Sequence, residues 1–90
     1  EKAHAVAAKL QDVPGLTAEV VVNTAGYEDV EITWDPNVIP LTSDEAKAEL
    51  MSGEPRLAYL MTIRTRLLRD GEQALVARHL HDFFTNAAGR

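Results

Sequence analysis

The segment YEDVEITW, residues 27–34, decides the fold of this 90-residue chain. Within it Val30, Ile32 and Trp34 alternate with polar side chains. Such alternation predicts a β-strand that buries one face and exposes the other to water. We therefore expect Trp34 to be buried in the core.

The segment before it, residues 16–24, is rich in valine and threonine and predicts another strand. Its three consecutive valines, residues 20–22, indicate a strand that is covered on both faces. Ala25-Gly26 supplies a short connection between the two strands, and a connection this short favours an antiparallel hairpin.

Two amphipathic helices flank this hairpin. Residues 1–10 place apolar side chains at helical spacing, but no Ser, Thr, Asp or Asn precedes them as a cap. From this missing cap we expect the chain to be part of a longer polypeptide. Thr42 and Glu45 predict a capping box for a second helix that runs to about Met51, and Gly53 fits its left-handed carboxy-terminal cap.

Residues 56–68 are mostly β-forming, and this stretch is longer than a usual strand of roughly 5–6 residues. We predict two strands, residues 57–60 and 62–68, with a chain break or a tight reversal near residues 60–62. Asp70 is the predicted cap of a closing helix. The predicted apolar stripe of that helix consists of Leu75, Val76, His79, Leu80, Phe83, Phe84 and Ala87.

The element order α-β-β-α-β-β-α over residues 1–90 predicts one small α+β domain. Its expected architecture is a two-layer sandwich, with an antiparallel sheet of three to four strands and the helices on one face. Fourteen acidic and nine basic side chains give a net charge of −5, which disfavours nucleic acid as a partner. The absence of cysteine excludes disulfides and thiolate zinc sites. Without an apolar run of about 20 residues we expect no membrane span, and a cytoplasmic location.

The candidate chemistry is limited. His79 and His81 are two residues apart on a helix, so they point to different sides and predict no metal site. We expect His79 at the edge of the core, and both His81 and His4 in solvent. Acidic residues are plentiful, but we expect no pair of them in a setting that raises the pKa of one. No serine elbow or glycine-rich phosphate loop is present, so no catalytic residue is predicted.

Arg64 and Arg66 are the candidate binding residues, because alternation places both on one face of the predicted strand 62–68. Two guanidinium groups on one face could bind a carboxylate or phosphate of a substrate. Alternatively, both arginines cover the open face of the sheet and pair with Glu31 or Asp35 on a neighbouring strand.

Several short motifs carry a family resemblance, namely residues 30–35, 41–45, 50–56 and 68–72. Together they resemble the carboxy-terminal small domain of the L-seryl-tRNA selenium transferase-like family. These are fold-type-I pyridoxal-phosphate enzymes that include D-glucosaminate-6-phosphate ammonia-lyase-like members. The chain departs from the family pattern by lacking a glycine-containing hairpin turn before its last strand, and by having Asp70 in place of a proline.

The resemblance implies a parent enzyme, a pyridoxal-phosphate-dependent lyase or transferase that forms a homo-oligomer. The cofactor lysine of such enzymes lies in a large domain upstream, which would be the partner of this segment in the same chain. Lys2, Lys9 and Lys47 lie on predicted surface helices, so we expect no cofactor in the segment itself. It would close over the active site and contact substrate through Arg66 or Arg64. The alternatives are a free-standing α+β interaction or ligand-binding module, and a small stand-alone enzyme.

Overall fold

The computed structural model describes all residues from Glu1 to Arg90. A single 3₁₀ turn, Thr65–Leu67, is added to the predicted order of elements. The elements are α1 (Lys2–Lys9), β1 (Leu16–Val22), β2 (Glu28–Trp34), α2 (Ser43–Leu50), β3 (Glu54–Leu57), β4 (Leu60–Ile63), the 3₁₀ turn and α3 (Glu72–Ala88). None of the helices has the length and hydropathy needed to span a lipid bilayer.

The four strands form one antiparallel sheet in the order β1-β2-β4-β3. Strand β2 pairs with β1 along its full length, from Leu16 opposite Trp34 to Val22 opposite Glu28. The predicted hairpin and the predicted α+β sandwich are therefore confirmed. Strand β2 is paired on both sides, so the surroundings of its side chains differ only between its two faces. One face meets the core and the other is open, which explains why its alternating pattern is the clearest in the sequence.

The core lies between the helices and one face of the sheet. Val30, Ile32 and Trp34 of β2 all point into it, as predicted. The Trp34 ring is 5.1 Å from the ring of Phe84 on α3, and its indole Nε1–H donates to the carbonyl oxygen of Leu41 at 2.8 Å. This hydrogen bond satisfies the only polar atom of the indole, so burial of the tryptophan leaves no hydrogen-bond donor unpaired.

The third and fourth strands lie earlier in the chain than predicted. The reversal occurs at residues 58–59, not near residues 60–62, and the chain continues as strand through Met61. The pairing of β4 with β2 accounts for this shift, because it places Met61 beside Ile32 and so directs Met61 into the core. Strand β3 contains Pro55 and an irregular register, both of which an edge strand tolerates.

The predicted capping box of α2 is present: Thr42 and Glu45 bond each other's backbone amides. At the other end of α2 the prediction was wrong, because Met51 and not Gly53 takes the left-handed cap position, with φ of 59°. This conformation turns the Met51 side chain outward, leaving it 83% exposed. Gly53 also has a positive φ, and a side chain there would press on Met61 of the core.

The closing helix begins at Glu72, and its cap residue is Gly71 instead of the predicted Asp70. The side chain of Gln73 accepts a hydrogen bond from the Gly71 amide at 2.8 Å. A side chain of the helix therefore satisfies the amide of the cap residue, but no side chain caps the first amides of the helix itself, and Asp70 remains fully exposed.

Three further side chains differ from expectation. Leu75 and His79 belong to the predicted apolar stripe of α3, yet both are exposed. His81 is instead the half-buried histidine, and its Nε2 lies 3.0 Å from Asp12 Oδ1. The buried face of α3 is formed by Ala77, Leu80, Phe84 and Ala87, and helical spacing places Leu75 and His79 on the other side of the helix.

The other face of the sheet is not covered by helices. The expectation that the valines of β1 are covered on both faces was wrong, since Val21 on this face is only half-buried and Val22, at the end of the strand, is 68% exposed. On this open face Glu19 of β1 lies directly opposite Glu31 of β2. Two like charges at directly opposed positions repel each other and weaken the pairing of the strands.

Replacing Glu19 by lysine is expected to raise the free energy of unfolding by about 0.5–1 kcal/mol at low ionic strength, because it converts this repulsion into an attraction. Urea unfolding of the variant and of Glu19→Gln, in low salt and in about 1 M NaCl, is the measurement. The glutamine variant should give a smaller gain, and high salt should remove most of the difference. A gain that salt does not alter would mean that charge is not its cause.

Candidate functional site

The two candidate arginines both lie just after the end of β4. Arg64 follows Ile63, and Arg66 belongs to the 3₁₀ turn. The prediction that they share one face of a strand was wrong, because the strand ends before either residue. Thr65 turns inward between them, and its hydroxyl donates to the carbonyl oxygen of Glu28 at 3.2 Å.

Arg64 is held by an acidic side chain of the neighbouring strand. Its guanidinium forms a salt bridge with the carboxylate of Glu54 on β3. The alternative in which the arginines pair with acidic side chains is therefore correct for Arg64, although its partner is Glu54 and neither Glu31 nor Asp35. Glu54 also lies 3.5 Å from Arg56, so a single carboxylate serves two guanidinium groups.

Arg66 lies at the opposite side of the 3₁₀ turn, over an aromatic ring. Its guanidinium carbon is 4.9 Å from the centre of the Tyr27 ring. It forms no ion pair with an acidic side chain, unlike Arg64. Stacking of this kind orients a guanidinium and leaves the N–H groups at its edge free to donate.

A shallow pocket of about 230 Å³ adjoins Arg66, between the start of α1 and the 3₁₀ turn. Its lining consists of Glu1, Lys2, Ala3, Glu28, Thr65 and Arg66. Within it the carboxyl groups of Glu1 and Glu28 lie close together, with oxygen atoms within 4.8 Å of each other. Hydrogen bonding between the two groups is the main cause that lowers the pKa of Glu1 and raises the pKa of Glu28.

His4 is exposed, as predicted, and its Nε2 lies 3.5 Å from Oε2 of Glu28. The potential ligand atoms of Glu1, His4 and Glu28 all lie within 4.8 Å of one another. These donor types could hold a divalent cation. Two of the three residues are exposed, and the cationic side chains of Lys2 and Arg66 line the same pocket, which opposes binding of a second cation.

The three lysines occupy surface positions that do not fit a cofactor lysine. The Nζ of Lys2 donates to the carbonyl oxygen of Leu68 at 2.6 Å, and that of Lys47 donates to Gly53 at 3.0 Å. Lys9 is exposed on α1. A lysine that forms a Schiff base needs a desolvated pocket to lower its pKa, and none of these side chains has one.

Sequence reasoning missed most of the surroundings of Arg66. Tyr27 is separated from it by 39 positions in the chain, and Glu28, whose backbone carbonyl accepts from Thr65, is separated from Thr65 by 37 positions. No local motif connects these residues. The one available signal was the clear strand pattern of β2. In an antiparallel pair, the first residues of β2 lie beside the residues that follow its partner strand β4.

The fold defines the chain as an α+β sandwich domain whose helices cover one face of the sheet. No family model and no curated protein matches its sequence. Among solved structures, the fold is similar to that of a D-glucosaminate-6-phosphate ammonia-lyase, with a TM-score of 0.71 and 22% sequence identity. The similarity covers 92% of this chain and 25% of that chain.

The chain thus spans about a quarter of the length of the lyase chain. At this level of identity the similarity establishes the fold. The same arrangement of strands and helices occurs as one part of a much larger enzyme.

Proposed function

We propose that this chain is the small domain of a pyridoxal-phosphate-dependent lyase or transferase. Two observations support this assignment. The sequence motifs resemble the small domain of the selenium transferase-like family, and the fold is similar to one quarter of a D-glucosaminate-6-phosphate ammonia-lyase chain. The structural similarity carries most weight, because it extends over nearly the whole chain and does not depend on the short motifs.

The proposed partner is a large domain of the same polypeptide, and the parent enzyme is a homo-oligomer. The cofactor lysine would come from that large domain, since the lysines here do not fit the role. When bound there, pyridoxal phosphate would supply the electron sink for the reaction. The small domain would close over the active site and exclude water from it.

Arg66 is the proposed contribution of this chain to substrate binding. Its guanidinium is oriented by Tyr27, borders a pocket and has no acidic partner. A carboxylate or phosphate group could therefore accept two parallel hydrogen bonds from it without displacing an existing ion pair. Arg64 is less available, because Glu54 already occupies its guanidinium.

The assignment is tested on the polypeptide encoded by the complete reading frame that contains Glu1. We expect a preceding domain of roughly 250–300 residues, the size of a large single domain. The purified protein should absorb in the range of a pyridoxal-phosphate aldimine, and borohydride should fix the cofactor to a lysine outside residues 1–90. Cofactor attachment within residues 1–90, or a complete frame without such a domain, would contradict the assignment.

Replacing Arg66 by alanine in the parent enzyme is expected to lower kcat/KM by roughly tenfold to a hundredfold, because two charge-assisted hydrogen bonds to substrate are lost. Arg66→Lys should also lose activity, since an ammonium keeps the charge but not the two-pronged geometry. Turnover and melting temperature are measured together for each variant.

Arg64→Ala is the matched control, because it removes a guanidinium only two residues away that is already paired. It should reduce stability by about 0–1 kcal/mol and leave turnover near that of the parent. If both Arg66 variants turn over like the parent enzyme, Arg66 is a surface residue that stacks on Tyr27 and has no role in substrate binding.

A further inference from the structure

The part of the open sheet face formed by β1 and β2 carries three carboxylates without a countercharge. We call this surface, composed of Glu19, Asp29 and Glu31, the acidic face. None of the three forms a salt bridge within the chain. Glu19 lies directly opposite Glu31, so the isolated surface contains a like-charge pair across neighbouring strands.

Asp29 is the unusual member of the acidic face, because it is only 5% exposed. Its Oδ2 accepts a hydrogen bond from Nδ2 of Asn23 at 3.1 Å. Its Oδ1 is buried and has no hydrogen-bond partner. A buried carboxylate oxygen without a donor costs free energy, so its occurrence in a folded protein requires an explanation.

Asp29 and Glu31 line a cleft of about 350 Å³ that crosses the open face. Apolar side chains, among them Val21, Leu57 and Leu60, form other parts of its wall. The cleft thus combines carboxylates with apolar surface. This combination suits a side chain with an aliphatic stem and a cationic end.

The arginines of the chain itself do not neutralise this surface. Arg56 lines the cleft, and Arg64 follows the strand that pairs with β2, yet both guanidinium groups lie against Glu54 on the far strand. No cationic side chain of the chain forms an ion pair with the acidic face. A cation supplied by another molecule or another domain would find these carboxylates without such a partner.

We propose that the acidic face is the docking surface for a protein partner that inserts an arginine side chain into this cleft. The guanidinium would donate to Asp29 and to Glu31, while its aliphatic stem would contact the apolar wall. Arginine fits better than lysine, because a planar group with five donors can serve two carboxylates at once. The inference uses only the charges and packing of this face, so it holds whether or not the parent is a pyridoxal-phosphate enzyme.

The test is titration of the ¹⁵N-labelled protein with tetra-arginine, followed by amide chemical shifts. Tetra-citrulline, which has nearly the same shape but no charge and fewer hydrogen-bond donors, is the control peptide. We expect tetra-arginine to shift the amides of β1 and β2 most strongly, and tetra-citrulline to leave them in place. The shifts should become smaller as salt is added, because salt screens the attraction between the peptide and the solvent-exposed carboxylates.

Variants locate the contact. Asp29→Asn and Glu31→Gln should each weaken tetra-arginine binding by about fivefold or more, since each removes a charged acceptor. Glu31→Gln breaks no hydrogen bond of the folded chain, so it remains informative if Asp29→Asn is poorly folded. Asp70→Asn, with the same change of charge on a fully exposed residue, should alter binding less than twofold, about 0.4 kcal/mol.

Three results would overturn the proposal. Equal effects of Asp70→Asn and Glu31→Gln would show that the peptide responds only to net charge. Equal binding of tetra-citrulline would show that charge is not needed. Shifts of the same amides with protein concentration, in the absence of peptide, would assign the face to a second copy of this chain.

Discussion

Replacing Phe84 by alanine is expected to lower the free energy of unfolding by about 3–5 kcal/mol. Phe84 is fully buried, and its ring packs against Trp34 of the central strand and, edge-on, against Phe83. The substitution removes a large apolar side chain from the contact between α3 and the sheet. A domain of this size has only about 5–15 kcal/mol of stability in total, so a large fraction would be lost.

Urea unfolding followed by Trp34 fluorescence measures the effect, because the only tryptophan of the chain lies beside the cavity. The melting temperature should fall by about 12 °C or more. Leu75→Ala on the same helix is the matched control. Leu75 is 62% exposed, so its loss should change stability by only about 0.5 kcal/mol or less. Similar costs for the two variants would contradict the packing of α3 described here.

Replacing Gly15 by alanine is expected to cost about 2–5 kcal/mol, from two separate causes. Gly15 has a φ of +75°, a conformation that a residue with a Cβ rarely adopts. The added Cβ would also lie 2.6 Å from Cβ of Val38, well inside contact distance. The backbone cannot simply move away, because the carbonyl oxygen of Gly15 accepts from the amide of Asp35 at 2.9 Å.

Gly26→Ala separates the two causes. Gly26 has a similar φ of +85°, but a Cβ there would meet nothing within 4 Å. Its loss should therefore cost only the conformational strain, about 1–2 kcal/mol. Thermal unfolding of the two variants side by side gives the difference. If Gly15→Ala is no worse than Gly26→Ala, the close approach to Val38 contributes nothing to stability.

The candidate site shows where reasoning from sequence ends. Alternation along residues 62–68 is a local pattern, and it placed Arg64 and Arg66 on one face of a strand. The strand ends at Ile63, where pairing with β2 stops, and Thr65 turns inward to bond the backbone of Glu28. As a result the two arginines have different surroundings, which no pattern within the segment itself could have revealed.

The sequence by itself determined the α+β class, the β1–β2 hairpin, the burial of Trp34 and the capping box of α2. Each of these depends on residues close together in the chain, through the period of apolar side chains or through hydrogen bonds within one helical turn. The tertiary structure alone decided that Arg64 pairs with Glu54, that Arg66 stacks on Tyr27, and that Asp29 is buried beside an open face. These contacts follow from the strand order β1-β2-β4-β3, which depends on how the helices and the sheet share one core, and local patterns do not encode that choice.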